Sequence, residues 1–336
     1  MKEFTIKPHE AGQKLDKYLA KVLSEAPKSF LYKMLRKKNI VLNDKKADGH
    51  EVLSNHDCVK IYFSDETFDK FANPAFKQGK TAQKPESTKK EELTKKIEPS
   101  KMKLAVDVIY EDEHIMLLNK PSGLLSQKAK PTDYSANDFV IEYLLTSGQL
   151  TQADLLTFKP SICNRLDRNT SGLLIAGKSM YGLQRMAQLL KSRDMAKYYL
   201  CLVKGKVNHS KHLKGYLLKD EATNKVTVKE TPFEGADLIE TSYEPVEYYG
   251  DATLLKVHLI TGRSHQIRAH LASIGHPIYG DSKYGDRELN RKLRTQTGID
   301  SQLLHAYQLV MPEGECYEAP LPDTFKKAYR FAKRDQ

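Results

Sequence analysis

Residues 164–179 read NRLDRNTSGLLIAGKS. The second half, SGLLIAG at 171–177, is a short apolar run bounded by polar turn residues, the pattern of a strand. The first half places Asp167 between Arg165 and Arg168, just ahead of Thr170, Ser171 and Gly172. A carboxylate on a strand-leading loop beside arginines can be held ionised by the opposite charges, and such a group can act as nucleophile or base. The same residues also fit an Asx turn capped by Asp167, with both arginines solvated. Residue pattern alone favours the capped turn.

Two further segments have the same density of turn, hydroxyl and charged residues. One is NKPSGLLS, 119–126, at the end of a strand; the other is LITGRSHQIRAHLASIGHPIYGDSKYG, 259–285. In the latter a strand ends at Thr261-Gly262 and a helix follows. Ile267, Leu271 and Ile274 form its buried stripe, Arg263, His265 and Arg268 lie near its exposed first turn, where Arg263 and His265 are expected to contact RNA, and Gly275 stops it. Asp281 reads as a turn residue. Around these segments, VDVIY, HIMLLN, YYLCLVKG, KVTVKE, TSYEPVEYYG and ATLLKVHLI read as strands, and helices are predicted over 136–146, 180–192 and about 264–274. Strands in hairpin-like succession with helices between them give an α+β class, a mixed and mainly antiparallel sheet with flanking helices.

The first 70 residues read as a separate small α/β unit. Leu15, Leu19, Val22 and Leu23 recur at helical spacing until Pro27. A second helix turns Phe30, Leu31, Met34 and Leu35 inward and Lys33, Arg36, Lys37 and Lys38 outward; NIVLN and DCVKIYF follow as strands. Of the net charge of +11, residues 1–102 carry 22 basic against 15 acidic side chains, and residues 28–46 carry seven against one. With Lys28 at its start, this is the patch expected to meet a polyanion such as RNA. Residues 71–102, which include KQGKTAQKPESTKKEELTKKIEPSK, are too poor in apolar groups to offset their ordering entropy and read as a flexible charged linker. The expected domains are 1–70, the 71–102 linker and 103–336.

Much is excluded. No apolar run reaches membrane-spanning length, and the N-terminal stretch has no secretory h-region. The four cysteines form no CxxC pair, which fits reduced thiols in a cytoplasmic protein. There is no GxxxxGK[ST], strand-borne GxGxxG, GxSxG or HExxH motif. His265, His270 and His276 have no carboxylate or cysteine at ligand spacing, so neither metal nor cofactor is expected.

NRLDRNTSGLL resembles the motif around the catalytic aspartate of the RluA-like pseudouridine synthases, usually H-R-L-D-x-x-T-S-G. NKPSG, Lys197-Tyr198-Tyr199 with Val203-Lys204-Gly205, GRSHQIRAHLASIGHPIYGD and LLHAYQLVMP match that family's other motifs in order, over all of 103–336. Residues 12–63 resemble the alpha-L (S-four-type) RNA-binding domain that often precedes this catalytic domain, an order more like the family's large-subunit ribosomal RNA members. The resemblance implies the pseudouridine synthase fold and cofactor-free isomerisation of uridine in structured RNA, 23S-type ribosomal RNA or its precursor. It implies Asp167 as the catalytic aspartate, Tyr199 as the tyrosine stacking on the base, Arg268 as the arginine paired with the aspartate, and Arg165 as an RNA contact. Asn164 departs from the usual His. A non-catalytic RNA-binding protein of the same fold, and a glycosidase using a second carboxylate, are the competing classes. A monomer is the default expectation.

Overall fold

The computed structural model describes residues 1–77 and 106–334, so most of the expected linker lies outside the described residues. The N-terminal part runs β1 (Lys2–Thr5), α1 (Leu15–Val22), α2 (Lys28–Arg36), β2 (Ile40–Leu42), β3 (Lys45–Lys46), β4 (Cys58–Ile61), α3 (Asp65–Phe71) and α4 (Pro74–Lys77). Its four strands pair antiparallel in the order β1-β4-β2-β3. Leu15, Leu19 and Val22 of α1 and Leu31, Met34 and Leu35 of α2 bury against Ile40, Val59 and Ile61. Pro27, which has no N–H to leave unsatisfied, stands at the N-cap of α2. Phe71 and Phe76 also pack on this core.

The rest runs β5 (Asp107–Glu111), β6 (Ile115–Lys120), α5 (Ala136–Thr146), α6 (Asp154–Thr157), β7 (Ser161–Ile162), β8 (Ser171–Gly177), α7 (Met180–Ser192), β9 (Ala196–Lys204), β10 (Lys211–Asp220), β11 (Lys225–Lys229), β12 (Asp237–Tyr249), β13 (Ala252–Leu259), α8 (Gln266–Ser273), α9 (Arg287–Thr297), β14 (Leu304–Val310), β15 (Cys316–Glu318) and α10 (Asp323–Arg334). The sheet order is β11-β10-β12-β13-β9-β14-β8-β6-β5, with β15 beside β14 and β7 beside β8. Only the β14–β8 contact is parallel, so the sheet is mixed and mainly antiparallel, as the sequence predicts. The strands at its centre are apolar on both faces: Met116, Leu118, Leu174 and Ala176 face the main core, while Ile115, Leu117, Leu173 and Ile175 face Met186 of α7.

The parallel join dictates one glycine. Gly172 has φ +106°, and a Cβ there would lie 2.2 Å from the Ala306 carbonyl oxygen of β14. Only glycine lets β8 approach β14 directly after the Asp167 loop.

The two parts touch through polar groups. Lys7 Nζ is 2.5 Å from Asp154 Oδ1 of α6. The Thr157 hydroxyl donates to the carboxylate of Glu10, Lys21 Nζ donates to Thr157 O at 2.7 Å, and Met180 N donates to His9 O at 3.0 Å. These contacts seat residues 7–13 against α6 and the start of α7.

Candidate active site

Asp167 sits on the loop between β7 and β8, one-quarter exposed at its side chain. That loop is tied down at several points. Asn164 Oδ1 accepts from Ile175 N at 2.9 Å, so the residue standing where the family has His closes the loop onto β8. Leu166 exchanges two hydrogen bonds with the Ser126 hydroxyl, 2.8 and 3.0 Å. Thr170 N donates to Asp167 O at 3.0 Å, a main-chain turn in place of the side-chain Asx cap that the sequence also fitted.

The arginines beside Asp167 in sequence are not its partners. Arg165 is exposed, and Arg168 turns its Nε to Gly123 O at 3.0 Å. Successive residues of a turn send their side chains apart. The partner is Arg268 of α8, whose Nη1 donates to Asp167 Oδ2 at 2.8 Å. Arg268 was expected near an exposed turn; it is 4% exposed, because Gln266 through Leu271 are all buried. Asp281, read only as a turn residue, fixes it. Asp281 Oδ2 accepts from Arg268 Nε at 2.7 Å and Oδ1 from Nη2 at 2.9 Å, while Oδ1 also takes the backbone N–H of Lys283 and Tyr284. Burial would raise the carboxyl pKa of Asp281, but the bonds from Arg268 outweigh it and hold the group low. For Arg268, burial opposes the charged form and the two carboxylates more than offset it.

Beneath the loop lies Lys120, fully buried. Its amino group donates to Pro121 O, Leu124 O and Arg168 O at 2.9, 2.8 and 3.0 Å, joining the NKPSG turn to the Asp167 loop. Burial pushes its pKa down to about 7, against the pull of Asp167. Sequence reasoning missed this lysine, although a Lys ending an apolar strand and followed by Pro was the available signal.

Tyr199 of β9 is buried, and burial together with the Asp167 charge pushes its phenol well above the ordinary value. His265 caps α8, where burial lowers its pKa chiefly, with Asp167 pulling the other way. Arg263 turns outward to Asp237, 2.9 Å away, and does not join the cluster. Lys28, Lys33, Arg36, Lys37 and Lys38 are exposed on or just after α2, apart from the Asp167 cluster. His265, His270 and His276 face different partners: Tyr284, Thr241 and the Lys204 carbonyl. Among the described residues, no group of three or more His, Cys, Asp or Glu is disposed to hold a metal ion.

By sequence the chain matches a known family. The signature of the RNA pseudouridylate synthases covers residues 114–273. The ribosomal large subunit pseudouridine synthase C of Pasteurella multocida is 32% identical, over 97% of this chain and 92% of the relative. The protein of that name from Escherichia coli is 33% identical, over 97% and 95%. In fold, the human RNA pseudouridylate synthase domain containing 4 superposes with a TM-score of 0.55 at 20% identity, over 68% of this chain and 92% of that one. The human domain containing 1 gives 0.51 at 21%, over 68% and 87%. The chain belongs to the RluA-like RNA pseudouridine synthases, which are isomerases.

Proposed function

We propose that this protein converts uridine to pseudouridine in large-subunit ribosomal RNA, with Asp167 as the catalytic carboxylate, Tyr199 as the surface the base stacks on and Arg268 as the residue that orients the aspartate. The relatives named above for the large ribosomal subunit support that substrate. The observation that carries the site is the Asp167–Arg268–Asp281 chain of charge-assisted hydrogen bonds.

The reaction breaks the N1–C1′ bond of uridine, turns the base and joins C5 to C1′; the proton leaving C5 is balanced by one gained at N1. Whether Asp167 attacks C1′, adds at C6 or takes a ribose proton, the step needs an aimed carboxylate oxygen. Arg268 bonds Oδ2, and no described side chain donates to Oδ1. With its phenol proton held by burial, Tyr199 is better suited to stacking than to acting as a resident base. Reaching Asp167 requires the target base to leave its stack, at a cost of a few kcal/mol by analogy with other base-flipping enzymes.

We assign residues 1–70 to an alpha-L type RNA-binding domain and 103–336 to the catalytic domain. The exposed Lys28, Lys33, Arg36, Lys37 and Lys38 supply phosphate contacts, and Arg165 and Arg263 contact RNA nearer the site. No described helix is long and apolar enough to cross a membrane; a ribosomal RNA substrate puts the work in the cytoplasm. One chain supplies every member of the cluster, which favours a monomer.

The test is a pseudouridine map of ribosomal RNA in cells lacking the gene, repeated with Asp167→Asn in its place. Sites missing in both, with RNA binding by the variant kept, are expected. A variant that restores them removes Asp167 from the chemistry.

A further inference from the structure

His265 is the one non-glycine residue of the cluster with left-handed backbone, φ 54° and ψ 13°. Such a conformation costs on the order of 1 kcal/mol for an ordinary L-residue and persists where its surroundings impose it. Here Gln266, 2% exposed, imposes it. Its Oε1 accepts from the Thr261 hydroxyl and Arg263 N, and its Nε2 donates to Glu240 O and the Thr241 hydroxyl.

The ring is fixed as tightly as the backbone. Tyr284 Oη accepts the Val226 N–H at 2.8 Å and lies 3.0 Å from His265 Nδ1. The phenol has one proton to give, and His265 Nδ1 is the only acceptor the described residues offer it. When the phenol gives its proton to Nδ1, the proton of the neutral imidazole resides on Nε2. No described residue takes that Nε2 proton, and the atom is not among those sealed from solvent without a partner. The charged groups acting on the ring are Asp167 and Asp281 on one side of the balance and Arg268 and Lys283 on the other; burial tips it toward the neutral form. A neutral donor suits the place, since a cation would compete with Arg268 for Asp167.

We propose that His265 holds the target nucleotide: its Nε2–H, set by Tyr284, donates to a uracil carbonyl or backbone phosphate oxygen of the nucleotide seated against Asp167. The proposal rests on Asp167 being the catalytic carboxylate.

Backbone and ring make opposite demands on substitution, which separates a structural role from a binding one. Left-handed backbone is easiest for Gly and Asn, so His265→Gly and His265→Asn should melt no lower than wild type. Neither places a donor where Nε2 stands, and kcat/KM on a ribosomal RNA transcript that wild type modifies should fall about 10-fold, mainly through KM. His265→Gln carries an amide N–H near the Nε2 position and should recover much of that loss. Wild-type kinetics in His265→Asn, or a folded His265→Gln no better than His265→Asn, would overturn the proposal. So would imidazole nitrogen chemical shifts showing the Nδ1–H tautomer in the folded wild type. The same shifts in Tyr284→Phe should show that the preference for Nε2–H has gone. Sulfur in place of a uracil carbonyl oxygen or a non-bridging phosphate oxygen identifies the acceptor, because the right substitution closes the gap between wild type and His265→Asn. If neither closes it, the proposal fails. Asp167→Asn, assayed in parallel, tests the underlying reading by itself, since activity there would refute the site whatever His265 does.

Discussion

Arg268 occupies the one place in the site where geometry and charge cannot be separated. Its guanidinium gives two bonds to Asp281 and one to Asp167, a fork that a lysine cannot reproduce. Arg268→Lys keeps the charge but leaves at least one carboxylate under-bonded. Because Asp281 is 1% exposed, its loss of partners costs about 3 kcal/mol or more. We expect kcat to fall about 100-fold and the melting temperature to drop, measured by single-turnover assay and thermal unfolding. Near-normal turnover would mean that aiming Asp167 does not need the fork. The crowding of hydroxyl, glycine and charged residues within a dozen positions only drew attention to Asp167; its role was legible through the resemblance of NRLDRNTSGLL to a family motif. Sequence left Asp281 half-read, since its turn-forming bonds to residues 283 and 284 are local while its bonds to Arg268 are not. Lys120 went unseen because a lysine is ordinarily expected at the surface, and its three carbonyl partners come from two separate loops.

Between residue and molecule stands the parallel contact of β8 with β14, which fixes the end of the Asp167 loop. Ser171 pairs with His305 there, and the two side chains also bond, Oγ to Nδ1 at 2.8 Å, while His305 Nε2 meets Ala319 O at 3.2 Å. Burial pushes the His305 pKa from 6.5 down to about 4. An unfolded chain takes up this proton near 6.5, whereas the folded one refuses it until about 4. Stability is therefore whole above the unfolded value and is lost as pH falls through that window, by about 3 kcal/mol at most for this group. His305→Gln should unfold more easily in urea at neutral pH, yet lose less on acidification than wild type does. An equal acid loss in both would clear His305 of the effect. The helices over 136–146 and 180–192 were legible in sequence from their apolar periodicity, and α8 from its stripe and Gly275. Neither β10 nor α9 was named. β10 interleaves lysines with its buried Leu213 and Leu217, and α9, RELNRKLRTQT, buries fully only Leu293 and owes its limits to the Asp286 cap and left-handed Gly298.

Across the whole molecule, the N-terminal part and the part that carries Asp167 are joined by pairs some 150 residues apart. Lys7 with Asp154, and Glu10 with Thr157, are each separated by 147 positions; no local pattern announces them. Glu10 is 4% exposed and accepts from Lys7 N at 2.9 Å as well as from the Thr157 hydroxyl. Docking thus buries a carboxylate that is satisfied only while both parts are in place. That makes the contact specific, and it makes it fragile to one hydroxyl. Thr157→Val keeps the shape of the side chain and removes the donor, leaving a buried charge short of a partner at a cost of about 1–3 kcal/mol. The loss falls on docking rather than on either core, because Thr157 lies outside the N-terminal apolar cluster and that cluster closes on itself. Amide exchange over residues 7–13 should quicken while the sheet around Asp167 keeps its protection. With the basic face of α2 no longer held at a set place, KM for a long ribosomal RNA transcript should rise several-fold, and kcat/KM for a short stem-loop reaching only the Asp167 site should stay the same. A short substrate that suffers equally would mean that the interface supports the catalytic centre itself rather than the placement of RNA upon it.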